Sequence, residues 1–311
     1  MKVVILGAGA LGSVIACKLA STGNDVTLVD VVPSIIEAVQ KQGGFIYEDS
    51  EGPRLIKLKA CYYDDLSNDM ELVILLTKTM HSEAAISSVL PHLGENTYFM
   101  TLQNGLGNIE RIEKYVPLDR IIVGTTLGES NPIAPGHVYT SGSAPTSMMS
   151  ANGIMNPMVK AVADMFNSSG IETSIEEDIL ASIWEKVAFN CATNTMASVC
   201  RLCDKYTLGT EETSVLAFKI AHEVCAVANA AGYKADEEKV FHKLSTSWKI
   251  RGDHFPSMAQ DVFAHRRTEI DSINGAVYAK ALELGIEVPY VETMYRLVRC
   301  IEQNYEAQYL T

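Results

Sequence analysis

The chain opens with Lys2-Val3-Val4-Ile5-Leu6, an apolar run short enough for a buried strand, and this run leads straight into Gly7-Ala8-Gly9-Ala10-Leu11-Gly12. A helix is expected over about 11–22, stopped by Gly23, and residues 25–30 (DVTLVD) read as a second buried strand. Strand, G-x-G-x-x-G, helix and strand in this order commit the N-terminus to a parallel βαβ unit, because two parallel strands need a crossover. Gly7 allows the tight turn, Gly9 lets a pyrophosphate approach the backbone, and Gly12 lets the helix pack close to the strand. The helix N-terminus then faces the anion. Gly7, Ala8, Gly9, Ala10, Leu11 and Gly12 are therefore candidate dinucleotide contacts; the competing reading is a glycine-rich turn that binds nothing.

Asp30 ends the second strand, 18 residues after Gly12, where a carboxylate accepts hydrogen bonds from the adenosine ribose hydroxyls and repels a 2′-phosphate. Val31, Val32 and Pro33 follow, with no lysine or arginine to receive that phosphate, so NADH is favoured over NADPH. The alternative is that Asp30 caps the next helix, expected from Pro33 or Ser34.

Further strands are expected over 71–76, 97–102, 120–124 and 171–175, with a hairpin over 45–60 around Glu51-Gly52-Pro53, paired strands within 125–146, and a helix over 157–168. Lys78 falls just past the carboxyl end of one strand, and Gln103-Asn104-Gly105-Leu106-Gly107 just past another. Open α/β sheets bind ligands at those ends. Lys78 and Asn104 are candidate cofactor contacts, against plain readings as a solvated loop lysine and an Asn-Gly turn. His81 reads as a surface or capping residue.

From about residue 176 strand-like runs vanish and helical periodicity takes over, which divides the chain into 1–175 and 176–311. Trp184-Glu185-Lys186-Val187-Ala188-Phe189-Asn190-Cys191-Ala192-Thr193-Asn194 reads as a mostly apolar helix. Lys186, Asn190 and Asn194, spaced by four, share one face. A cation and two amides on a core-like helix are costly unless something satisfies them, and a ligand-holding polar cavity would do so. The plain alternative is a solvated stripe. Helices are also expected over about 211–231 and 237–246. A later one carries Glu269 and Gly275 and runs to 284, stopped by Gly285. Ser257 is placed at a helix N-cap, and Gly275 suggests close approach of another backbone. For Glu269 the plain reading is a salt bridge to Arg266 or a surface position.

Composition removes other classes. The net charge is −13 (38 acidic against 25 basic residues), spread along 311 residues, which argues against nucleic-acid and anionic-membrane partners. No apolar run reaches transmembrane length. The seven cysteines include one C-x-x-C pair, Cys200 and Cys203, with no second ligand pair to complete a zinc site and no disulfide framework, so no metal is expected and the reading is reduced thiols in a cytoplasmic protein.

Taken together, Gln103-Asn104-Gly105, the Trp184/Lys186/Asn190/Asn194 helix and Ser257-Met258…Asp261…Arg267-Thr268-Glu269 before Gly275 resemble the ketopantoate reductase family over essentially the whole chain. The resemblance implies an N-terminal Rossmann-type doubly wound α/β sheet, then an all-helical C-terminal domain, with the active site in the cleft between them. It implies that Lys186 is the general acid and Glu269 the carboxylate that holds the substrate hydroxyl. Asn104, Asn190, Asn194 and Ser257 match substrate or nicotinamide contacts, and Lys78 a cofactor contact. The implied reaction is reduction of 2-dehydropantoate to (R)-pantoate by NAD(P)H, in the pathway to pantothenate and coenzyme A. Reduction of another branched 2-keto acid, or dinucleotide sensing without turnover, are the rivals, and a homodimer is left open. Two departures stand out. Asp30 lies where many members carry an arginine for NADPH, and Asp204 replaces a family asparagine, which would alter the substrate if it reaches the cleft. The chemistry agrees independently, since an ammonium at Lys186 stabilises a developing alkoxide and then protonates it.

Overall fold

Strands without polar alternation are stable only when both faces are covered, and the apolar runs of the first 180 residues form the centre of such a sheet. The structure is a computed structural model describing residues 1–67, 69–128, 130–142 and 144–308, without the side chains of 248, 250 and 251. It has two units. One comprises Met1–Gln103 and Asn108–Ile179; the other comprises Asn104–Gly107 and Leu180–Thr311. A division at 175 did not assign the four residues Asn104–Gly107 to the second unit.

The first unit runs β1 (Lys2–Leu6), α1 (Ala10–Ser21), β2 (Asp25–Val29), α2 (Pro33–Gln42), β3 (Phe45–Asp49), β4 (Gly52–Ile56), β5 (Lys59–Cys61), β6 (Leu72–Leu75), α3 (Ser82–Val89), β7 (Tyr98–Thr101), α4 (Asn108–Glu113), β8 (Ile121–Thr126), β9 (Ser130–Ala134), β10 (His137–Thr140), β11 (Thr146–Ser150), α5 (Pro157–Ser168) and β12 (Thr173–Ile175). The eight-stranded sheet has the order β12-β11-β8-β7-β6-β1-β2-β5. β1 pairs in parallel with β2 on one side and β6 on the other, so the strand order reverses at β1/β6, the place where such sheets open a ligand crevice. Ile5, Leu6, Leu72 and Ile74 are fully buried there. A second sheet, β4-β3-β10-β9, packs over α1.

The expected paired strands of 125–146 are β9 and β10; residues 129 and 143 of that stretch lie outside the described residues. β11 was not expected. Its sequence, TSMMS, lacks the β-branched run of its neighbours, yet it pairs antiparallel with β8 from Thr146↔Thr126 to Ser150↔Ile122. Gly124 makes this possible, since a Cβ there would meet the Ser147 carbonyl oxygen at 2.3 Å.

The second unit is helical: α6 (Ile179–Cys200), α7 (Asp204–Thr207), α8 (Glu211–Ala230), α9 (Glu237–Arg251), α10 (Ser257–Phe263), α11 (Asn274–Leu284) and α12 (Pro289–Gln303). Trp184, Val187 and Cys191 of α6 share a core with Ile220 and Val224 of α8, Met258 of α10, Val277 of α11 and Val291, Met294 and Val298 of α12. α11 ends on Gly285 in the left-handed conformation, and Pro289 opens α12 at a position where no amide is needed. Two helix readings change. α9 runs five residues past 246, and α11 begins only at Asn274, so Glu269 sits in a run of turns. Among the described residues no helix is long and apolar enough to cross a membrane.

Candidate active site

The glycine turn is built from contact distances. Gly7 has φ +108°, and a methyl there would lie 2.7 Å from the Thr77 amide nitrogen, beyond β6. A Cβ at Gly12 would meet the Gly7 carbonyl oxygen at 2.0 Å, so Gly12 serves the turn's own closure first and the approach to β1 second, with Ile5 Cγ2 at 3.6 Å. Gly9 is different: it is exposed, and nothing lies within 4 Å of the place its Cβ would take. It is also the N-cap of α1, with no side chain capping it. The first-turn amides of a helix lack intrahelical acceptors, so the end of α1 offers donors and room to an anion. A cavity of about 290 Å³ adjoins it, walled by Ala8, Gly9, Val32, Ile35, Phe45 and Ile133.

Asp30 does more than either sequence reading required. Its Oδ2 accepts the Ala8 amide at 2.6 Å, and its Oδ1 accepts the Val31 and Val32 amides at 2.8 and 2.9 Å. The N-cap of α2 is Val32, so Asp30 caps the strand end and ties it to the glycine turn. Lys78 is half-buried on extended backbone just past β6. Sequence reasoning gave no role to Gln103. Its Nε2 donates to the Thr77 carbonyl at 2.6 Å and to Ser82 Oγ at 2.8 Å, which fixes the segment carrying Lys78. The signal was its place at the carboxyl end of β7.

In the second unit the spacing on α6 grades inward: Lys186 and Asn190 are half-buried, and Asn194 is 4 % exposed, accepting from Thr193 Oγ1. The neighbouring acid is occupied elsewhere, for Glu185 accepts the Asp236 amide and pairs with Lys239 at 2.6 Å. The buried hydroxyls of Thr193, Thr195 and Ser198 donate back to the carbonyls of Phe189, Cys191 and Asn194 at 2.9, 2.6 and 2.7 Å. α6 therefore satisfies those groups itself. Cys191 is fully buried, and burial lifts its thiol well above the usual range, so it is core and no nucleophile. All seven cysteines are free.

Asn104 begins the short loop of the second unit. There Gly105, at φ +84°, packs so close that a Cβ would meet the Ser272 carbonyl oxygen at 2.4 Å, and the Leu106 amide donates to that same oxygen at 2.8 Å. Ser272 belongs to the segment of Glu269. That segment is fixed on both sides: the Thr268 amide donates to Glu302 at 2.6 Å, the Glu269 carbonyl accepts the Ser272 and Ile273 amides, and Ile270 and Ile273 are buried. Glu269 itself is half-buried. Arg266 pairs with Asp261 at 2.9 Å, while Arg267, Arg299 and Tyr295 serve Asp271. Gly275 is close to the Tyr295 ring (2.9 Å from a built Cβ) ahead of the Ile270 carbonyl, so a side chain is the nearer neighbour where a backbone was expected. Ser257 is the first helical residue of α10; the N-cap is Pro256, and Ser257 is exposed.

Asp204 is fully buried, with Oδ2 3.0 Å from His254 Nδ1 and its amide donating to the His254 carbonyl. The solvent-reaching member of this pair is His254, three residues before Ser257, and no feature of the sequence linked the two.

Comparison with known proteins agrees with this architecture. Residues 3–153 match the family model described as ketopantoate reductase PanE/ApbA, and residues 178–302 match its C-terminal model. A 2-dehydropantoate 2-reductase of Streptococcus pyogenes serotype M3 is 31 % identical over 97 % of this chain and 98 % of its own. One from Pyrococcus horikoshii is 31 % identical with the same coverage. A ternary structure of D-mandelate dehydrogenase with NADH and anilino(oxo)acetate has a TM-score of 0.94 at 27 % identity, covering 99 % of this chain and all of that one. With both halves matched and these relatives spanning nearly its whole length, the chain belongs to the ketopantoate reductase family.

Proposed function

We propose that this protein reduces 2-dehydropantoate to (R)-pantoate with a nicotinamide cofactor, NADH in preference to NADPH. The observation that carries the reading is the graded stripe of Lys186, Asn190 and Asn194 along a mostly buried helix whose Thr193, Thr195 and Ser198 hydroxyls return to its own carbonyls. Relatives named for this reaction support it. The open N-terminus of α1, with bare space at Gly9, suits a dinucleotide pyrophosphate. The carboxylate of Asp30 beside the exposed Val31 and Val32 disfavours a 2′-phosphate.

When bound, the cofactor supplies the hydride. The protein's own part is electrostatic and positional. The ammonium of Lys186 donates to the substrate's keto oxygen, stabilises the negative charge that develops there, and transfers its proton to the resulting alkoxide. Solvent then restores the proton to the amine. Glu269 accepts a hydrogen bond from the distal hydroxyl of the substrate. Asn190, Asn194, Asn104 and Ser257 orient the acid through neutral contacts, and Lys78 contributes a charge to the cofactor side.

The likeness to an NADH-bound D-mandelate dehydrogenase favours one second reading, a D-2-hydroxyacid dehydrogenase acting on a bulkier keto acid. Steady-state kcat/KM with 2-dehydropantoate, 2-ketoisovalerate, pyruvate and phenylglyoxylate, each with NADH and NADPH, separates the two. The expected order puts 2-dehydropantoate with NADH first; phenylglyoxylate first transfers the assignment to the second reading.

A further inference from the structure

Asn274 is fully buried at the first turn of α11, yet it uses little of its hydrogen-bonding capacity. Its Nδ2 donates to the carbonyl of Cys191 on α6 at 3.4 Å, a long bond, and its Oδ1 has no partner among the described residues. Turning the amide over would set oxygen against the Cys191 carbonyl, so the orientation follows from its surroundings. The Cys191 carbonyl also receives the Thr195 hydroxyl at 2.6 Å. A buried amide with an unsatisfied oxygen costs stability, and an apolar side chain of the same size would cost less. For stability alone, then, asparagine is a poor choice at this position.

Its place in the chain explains what it does. Asn274 lies five residues after Glu269 in the segment whose Ser272 carbonyl receives the 104–107 loop. The acceptor on α6 lies one residue after Asn190 and five after Lys186. The geometry points to Asn274 as a positioning residue that sets the Glu269 segment against the helix carrying Lys186, and through it the separation of the two reacting side chains. It touches no reactant itself. This inference rests on the reductase reading and adds a further determinant of that reaction.

The test uses the full-length protein carrying Asn274→Leu, with Asn274→Ser as a milder second variant. Loss of register by a fraction of an ångström to 1 Å should lower kcat on 2-dehydropantoate by about 10-fold or more, since misplacement on this scale costs up to roughly 100-fold. The KM for NADH should stay within about 2-fold, and the melting temperature should not fall for the leucine variant, which removes the unsatisfied oxygen. Acting through Glu269, the effect should shrink to under about 3-fold in a Glu269→Gln background, as expected for coupled sites. Full kcat in both variants overturns the inference, as does a loss that is undiminished in the Glu269→Gln background or that tracks a fall in melting temperature. If the unmodified protein reduces no 2-keto acid, the reductase reading itself has failed. That outcome is visible before any variant is assayed.

Discussion

Asp30 holds three backbone amides at once, and this bears on how its charge can be tested. Removing the whole carboxylate would leave the amides of Ala8, Val31 and Val32 short of an acceptor and loosen the glycine turn as well as the charge. Asp30→Asn is the milder change: its oxygen can still accept the Val31 and Val32 amides, its Nδ2 then faces the Ala8 amide and gives up that one bond, and the repulsion is cancelled. It should raise kcat/KM for NADPH relative to NADH by about 10-fold, the scale of one exposed charge–charge contact worth roughly 1 kcal/mol or a little more. An unchanged ratio would remove Asp30 from cofactor choice. Lys186 can be tested by outright removal, and its sequence neighbour Glu185 is held by Asp236 and Lys239. Lys186→Ala should lower kcat by at least about 100-fold, the usual scale for loss of a general acid. The circular dichroism spectrum should not change, since the α6 core is made by Trp184, Val187 and Cys191 on another face. Turnover near normal would refute the assignment.

Among the helices the most informative joint is Glu223. From α8 its carboxylate accepts the Tyr290 and Val291 amides at 3.1 and 2.8 Å, capping the start of α12 from a neighbouring element. Burial raises its pKa above the ordinary 4.5, although those two amides pull the other way. A raised folded-state pKa means the folded chain holds this proton more tightly than the unfolded chain. The group's contribution is then most favourable below pH 4.5 and is lost as pH rises through the raised value. Glu223→Gln should flatten that part of a melting-temperature-against-pH profile, and a slope identical to the parent would show that the group does not titrate there. Elements with one strong local signal were legible beforehand: β1, the glycine turn, α1 and β2 each carry their own periodicity or punctuation, as does the stripe on α6. What escaped was written in partners distant in sequence. β11 is a strand because β8 offers Gly124, not because TSMMS favours extension. The turns around Glu269 are set by Glu302, and the Asp204–His254 pair joins residues 50 apart. The 104–107 loop falls in the helical unit through Ser272.

At the scale of the whole molecule, fold and ligand can be separated, because two glycines of one turn meet different surroundings. Gly12 is closed in by the Gly7 carbonyl at 2.0 Å, so any side chain there attacks the fold. Gly9 has open space and ordinary extended backbone (φ −66°), so a methyl group there disturbs only what comes to lie on it. A ligand at 100 times its Kd adds about 2.7 kcal/mol to the stability of the state that binds it. In a unit of 150–250 residues each kcal/mol is worth roughly 2–4 °C, so saturating NADH should raise the melting transition by about 5–10 °C. Gly9→Ala should leave the unliganded transition within about 3 °C of the parent, the cost of a poorer N-cap. It should also remove most of the NADH-induced rise, since the pyrophosphate needs the space the methyl takes. A variant that melts normally and still gains the full increment would place the dinucleotide elsewhere than the end of α1. If the variant melts far below the parent even without ligand, the room at Gly9 is not as free as the geometry makes it.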